Sequence, residues 1–239
     1  MTRRLRIQAA RWLGIGLLSV CALPALAQQA VNTCGDLRNG YGPYDYRSDR
    51  DKLPIVDNSH FTPEIEALSR SYNGYLGGEL DYALRAFPNH HRALVAMMRL
   101  AERSKSPQAP NARYSVACYF DRAIRFKSDD TTVRMIFASY LKNSGREAQA
   151  VQQLDYALTL AGDNAFTYNN LGLLYLELKE YEKALQQAHR AMALGLQRPE
   201  LRDALKAAGQ WIDLPTDAPV PEATASSAAA ASAPPSSPR

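Results

Sequence analysis

The pentapeptide Leu-Asp-Tyr-Ala-Leu occurs twice, starting at Leu80 and again at Leu154, 74 residues apart. Self-similarity at a fixed spacing constrains a fold more than any single motif does, because it requires the same structural unit to be built more than once. The flanking residues extend the match. In residues 165–198, AFTYNNLGLLYLELKEYEKALQQAHRAMALGLQR, Ala165 can be counted as position 1. Tyr168 then stands at 4, Leu171-Gly172 at 7–8, Tyr175 at 11, Tyr181 at 17, Ala184 at 20 and Ala191 at 27. Residues 131–164 align one period of 34 earlier without a gap: Phe137-Ala138 at 7–8, Ala150 at 20, Leu154 at 24 and Ala157 at 27. The unit before that, 91–130, has 40 residues, with Phe120 at the place of Leu154 and Ala123 at that of Ala157. Its six extra residues fall in RSKSPQAPNAR. The first LDYAL is therefore the same segment as the second, one standard and one long unit earlier.

Within a unit, Leu154, Ala157 and Leu158 have the i, i+3, i+4 spacing of a helix with one apolar stripe. Small residues at positions 8, 20 and 27 let helices approach closely, and large ones at 4, 7, 11 and 24 fill the space between them. Gly145 marks a turn between two helices, where a positive φ is useful. A pair of helices striped in this way cannot cover its own apolar face, so the units must stack. Upstream, Thr62-Pro63-Glu64 has the order of a helix start, with Ile65, Leu68 and Tyr72 on one face. Leu76, Leu80 and Ala83 continue a degenerate first unit, closed by Pro88. Downstream, Pro199 opens ELRDALKAAGQW, whose Leu201, Leu205 and Ala208 would cover the last unit.

This pattern resembles the tetratricopeptide repeat (TPR), whose period is 34 residues and whose signature runs W-x2-L-G-x2-Y through A to A. Tyr168 replaces the Trp, and Ala188 and Leu196 stand where Phe and Pro are usual. The resemblance covers about 76–198 and implies an all-α fold, an α-solenoid of about three and a half repeats. The expected units are 62–90 (degenerate), 91–130, 131–164 and 165–198, followed by a capping helix at 199–213. It also implies a concave groove lined by the first helix of each unit. In this chain the groove positions are Arg92, Val95 and Arg99; Thr132, Met135, Ser139 and Lys142; and Phe166, Asn169, Leu173, Leu176 and Glu177. Such a mixture of aliphatic side chains, cations and an amide suits a peptide or helix of another protein. The plain alternative for each residue is an ordinary solvated helix face. The Lys and Asn set with which some relatives grip a terminal carboxylate is not evident.

The two ends of the chain have different compositions. Arg3, Arg4, Arg6 and Arg11 precede an apolar run that closes on Ala25-Leu26-Ala27, the layout of a cleaved secretory signal peptide. A lipoprotein signal ending at Cys21 is the competing expectation. The apolar run is shorter than the ~20 residues of a membrane span, and no later segment is long and apolar enough for one. At the far end, 214–239 is Pro, Ala and Ser with almost no large apolar side chain, the composition of a disordered tail. The whole chain carries 28 Lys+Arg and 24 Asp+Glu. Cleavage after Ala27 would remove four arginines and no acid, leaving the mature chain neutral. A neutral chain attracts phosphate backbones poorly, which argues against nucleic acid as a partner. The mature chain keeps Cys34 and Cys118. In an oxidising compartment such as the periplasm they form a candidate disulfide; otherwise they are two unrelated thiols. Residues 28–61, with Tyr41, Tyr44 and Tyr46, have the look of an irregular arm.

Catalytic signatures are missing. The sequence has no haem, zinc-helix, P-loop or nucleophile-elbow motif, so neither an enzyme nor a cofactor or metal site is expected. His90-His91 are expected to cap a junction in solvent, His189 to lie on the surface, and Gly74, Gly77 and Gly78 to form a helix–helix connection. Two function classes follow: an envelope adaptor that binds a protein in the groove, and a glycan or small-molecule receptor that stacks its ligand on Tyr41, Tyr44 and Tyr46. The oligomeric state is left open.

Overall fold

A computed structural model describes residues 34–72 and 74–214. The expected signal peptide, residues 28–33 of the arm and all of the tail but Leu214 lie outside them. The described residues are all-α, with no strand among them. A 3-10 turn at Arg50–Lys52 runs into α1 (Leu53–Asp57), followed by α2 (Pro63–Glu66), α3 (Leu76–Ala86), α4 (His91–Arg103) and α5 (Val116–Phe126). Then come α6 (Thr131–Asn143), α7 (Glu147–Thr159), α8 (Ala165–Glu177), α9 (Tyr181–Ala193) and α10 (Glu200–Ala207).

Local chemistry sets the helix boundaries. Asp130, Asn164 and Ser115 each accept a hydrogen bond from a backbone N–H in the first turn of α6, α8 and α5, at 3.1, 3.1 and 3.3 Å. The turn from α6 to α7 closes with Gly145 at φ +71°, where Arg146 N–H donates to Leu141 O at 2.9 Å. The turn from α8 to α9 closes in the same way, with Glu180 N–H on Tyr175 O at 2.9 Å, although Lys179 takes the left-handed position at φ +61°. Each of α3 to α9 packs on the helix after it as well as the helix before it, and α4–α6, α6–α8 and α8–α10 also touch.

Both copies of LDYAL are explained by this packing. Leu80, Ala83, Leu154 and Ala157 are fully buried. The two aspartates have matching roles: Asp81 accepts the Tyr119 hydroxyl at 2.5 Å, and Asp155 accepts the Tyr175 hydroxyl at 2.8 Å. Burial, reinforced by the neighbouring carboxylate, pushes both tyrosine pKa values up. The two tyrosines of the motif face cations instead, with Arg85 over Tyr82 and Arg134 over Tyr156, the latter at 3.7 Å.

The N-terminal part differs from the expectation in several places. The arm is not wholly irregular, since it contains the 3-10 turn and α1. Helix α2 is a single turn that stops at Glu66, with Leu68 at φ +56°, so Tyr72 leaves the shared face and is 61 % exposed. The Thr62 hydroxyl makes no cap bond. Gly77 and Gly78 are not in a connection but in the first turn of α3. A Cβ on Gly77 would lie 2.0 Å from the carbonyl oxygen of Pro110, so the six-residue insertion packs where a side chain would otherwise be.

The arm is fastened to the helices at several points. Cys34 and Cys118 form a disulfide. The buried Arg122 donates to Cys34 O at 3.2 Å and to Asp36 O at 2.6 Å. The fully buried Asn89 splits its two amide hydrogens between Asp45, at 2.7 Å, and Asp130, at 2.9 Å, while its oxygen accepts Tyr46 N–H at 3.0 Å. Arg47 bridges Asp45 and Asp129. Burial alone would raise the pKa of Asp45 and of Asp130. The bonds they accept from Arg47 and Asn89, and from His91 and Asn89, outweigh it and hold both below the usual carboxylate range.

Candidate functional site

The residues predicted for the groove fall along α4, α6 and α8, and most of them converge on two neighbouring cavities. The first, about 260 Å³, is lined by Arg92, Val95, Ala96 and Arg99 of α4, with Glu66, His91 and Ile136. The second, about 340 Å³, is lined by Thr132, Met135, Ile136 and Ser139 of α6 and by Asn170, Leu173, Leu174 and Glu177 of α8. Ile136 borders both, so they are two parts of one depression. Because α4, α6 and α8 lie side by side, positions 2, 5 and 9 of α4 and α6 and position 9 of α8 line this common face. Position 6 does so as well. The sequence reading omitted Ile136 and Asn170, and only the period of the helix could have indicated them.

Charge on this face is mostly neutralised from within. Arg92 pairs with Glu66, its Nε donating at 2.7 Å with a second, shorter contact beside it. That bond draws the Glu66 pKa down against the opposing effect of burial, and raises that of Arg92. Lys142 pairs with Glu177 at 2.5 Å. His91 Nε2 donates to the buried Asp130 at 2.9 Å. Arg99 is exposed and makes no ion pair among the described residues.

Three predicted residues lie elsewhere. Asn169 is 5 % exposed, in a small recess with Ala188, Leu201 and Arg202 beneath α10. Helix α10 packs on α8 and α9 and so covers this part of α8. Its seat depends on Gly172, where a Cβ would stand 2.3 Å from Leu201 Cδ2. Phe166 is 55 % exposed with Arg198 over its ring, and Leu176 is half-buried in the second core.

The remaining candidates have packing roles. Tyr41, Tyr44 and Tyr46 are partly buried against the first core. The Tyr41 ring meets that of Tyr44 edge-on, Tyr44 meets Phe87, and Tyr46 lies 4.1 Å from His90. His90 does cap α4, its Nδ1 accepting Ala93 N–H at 3.2 Å, but it is fully buried rather than solvated. Its Nε2 faces Asp57 at 3.2 Å, and burial lowers its pKa. His189 is half-buried, edge-on to Trp211. No helix among the described residues is long and apolar enough to cross a membrane. No protein-family model, curated protein or solved structure matches this chain.

Proposed function

We propose that this chain is a non-catalytic adaptor of the bacterial cell envelope, an α-solenoid of TPR-like hairpins that binds a segment of another protein in the groove of α4, α6 and α8. The observation that carries this reading is the convergence of Arg92, Val95, Arg99, Thr132, Met135, Ser139 and Leu173 on one depression with an aliphatic floor at Ile136. Interaction sites on proteins combine such an apolar centre with a polar rim. A periplasmic location is supported by the signal-like residues 1–27 and by the Cys34–Cys118 disulfide, which persists in oxidising compartments. The engagement of Tyr41, Tyr44 and Tyr46 in packing gives the glycan-receptor reading no comparable support.

The test is photo-crosslinking in cells from Val95, Ser139 and Leu173, with the exposed Gln152 of α7 and Gln186 of α9 as controls. The adaptor reading predicts that one protein is crosslinked from all three groove positions and from neither control. Equal yields from groove and control positions would contradict it.

A further inference from the structure

We infer that the segment bound in the groove is acidic at one end and aliphatic at the other, with its side-chain carboxylates on Arg99 and its aliphatic side chains over Ile136, Met135 and Leu173. This rests on the adaptor reading and specifies the chemistry of its ligand. Most charges on this face are already compensated. Arg92 is held by Glu66, Lys142 by Glu177, and His91 by Asp130. Arg99 stands on the wall of the first cavity with no carboxylate in ion-pair reach among the described residues. One turn further along α4, Arg103 lends one N–H to the Leu68 carbonyl at 2.8 Å, which leaves its positive charge unneutralised. Arg103 lines a separate cavity with Arg70 and Leu100, so among the described residues Arg99 is the uncompensated cation on the α4 side of the depression.

The α8 side is different. Thr132, Met135, Asn170, Leu173 and Leu174 are uncharged, and the single acid there, Glu177, is matched by Lys142. The groove therefore changes from cationic to neutral and aliphatic across α6. A guanidinium with free donors takes a carboxylate in a two-pronged contact. One uncompensated guanidinium is too little for a phosphate backbone, which requires several neutralised phosphates. A peptide with acids at one end and an aliphatic stretch at the other fits both halves at once.

The test measures fluorescence anisotropy of two 12-residue peptides, acetylated and amidated so that terminal charges play no part. One carries two glutamates followed by a leucine- and isoleucine-rich stretch; in the other the glutamates are lysines. The oxidised protein should bind the glutamate peptide at least about tenfold more tightly, the scale of one charge-assisted hydrogen bond. Arg99→Gln should abolish that preference without changing helical content, and Lys142→Gln should leave it intact. Leu173→Asp should weaken both peptides. Equal binding of the two peptides, binding of neither, or a preference that survives Arg99→Gln would overturn the inference. The adaptor reading stands or falls separately, on the crosslinks from Val95, Ser139 and Leu173.

Discussion

The two halves of this molecule reach a packed core by different means. Leu53 to Val133 form one buried cluster, and Met135 to Leu205 form the other. The second half consists of α6–α7 and α8–α9, each pair joined by three residues, with Ala138, Ala150, Ala157, Ala184, Ala188 and Ala191 buried where the helices meet. It needs little besides regular packing and the short cover of α10. The first half is less regular: α2 is a single turn, and the connection from α4 to α5 carries a six-residue insertion. There an arm, a disulfide and a buried Asp45–Asn89–Asp130 cluster hold the elements together. Regular repeats are held by contacts with their neighbours, whereas irregular ones require specific fasteners.

Breaking a fastener should produce the largest effect. Cys118→Ser removes a bridge across 84 residues and should cost about 4 kcal/mol by the chain-entropy relation. Thermal unfolding of the oxidised protein and the variant would measure it, and equal melting temperatures would show that the bridge does not fasten the arm.

The two close-packed glycines sharpen the contrast. Gly77→Ala drives a Cβ against the backbone carbonyl of Pro110, and Gly172→Ala drives one against a leucine methyl. A carbonyl held in a loop yields less readily than a side-chain methyl. Gly77→Ala should therefore cost about 2–3 kcal/mol, in the range of overpacking, and Gly172→Ala about 1 kcal/mol after the gain in helix propensity. Chemical denaturation of both variants would rank them.

Histidine 90 provides a pH probe confined to the first half. Burial lowers its folded pKa, so the unfolded chain takes up the proton first. The stability from the neutral ring is complete above the unfolded value of about 6.5 and declines as pH falls below it, towards the folded pKa. Stability measured from pH 8 to pH 5 should fall in this window for the native protein, with a smaller fall in His90→Asn, which keeps a cap acceptor. An identical fall in both would assign the proton elsewhere.

The smallest effect belongs to the regular half. Lys179 holds the left-handed position that Gly145 fills one unit earlier. Lys179→Gly should stabilise the protein by about 0.5–1 kcal/mol, because glycine adopts that conformation without strain. Urea denaturation would detect the shift.

The same division explains what could be read from the sequence. The helices of 131–198 were legible because their apolar and small residues recur at a period of 34, and each stripe must be buried. The disulfide was legible as a candidate because two cysteines remain after the expected cleavage. The single turn of α2, the helical placement of Gly77 and the buried cap made by His90 were not. Each depends on contacts made across long sequence separations, such as Gly77 with Pro110, which local pattern does not encode. In the candidate site, position within the helix identified Val95, Ser139 and Leu173. It missed the burial of Asn169, because α10 packs over that part of α8.

Specific fasteners hold the first half, while regular packing holds the second. Hydrogen exchange with and without reduction of Cys34–Cys118 tests it most directly. Reduction should speed exchange in α3 to α5 and leave α8 and α9 as protected as before. A uniform rise across all helices, or one centred on α8 and α9, would contradict it.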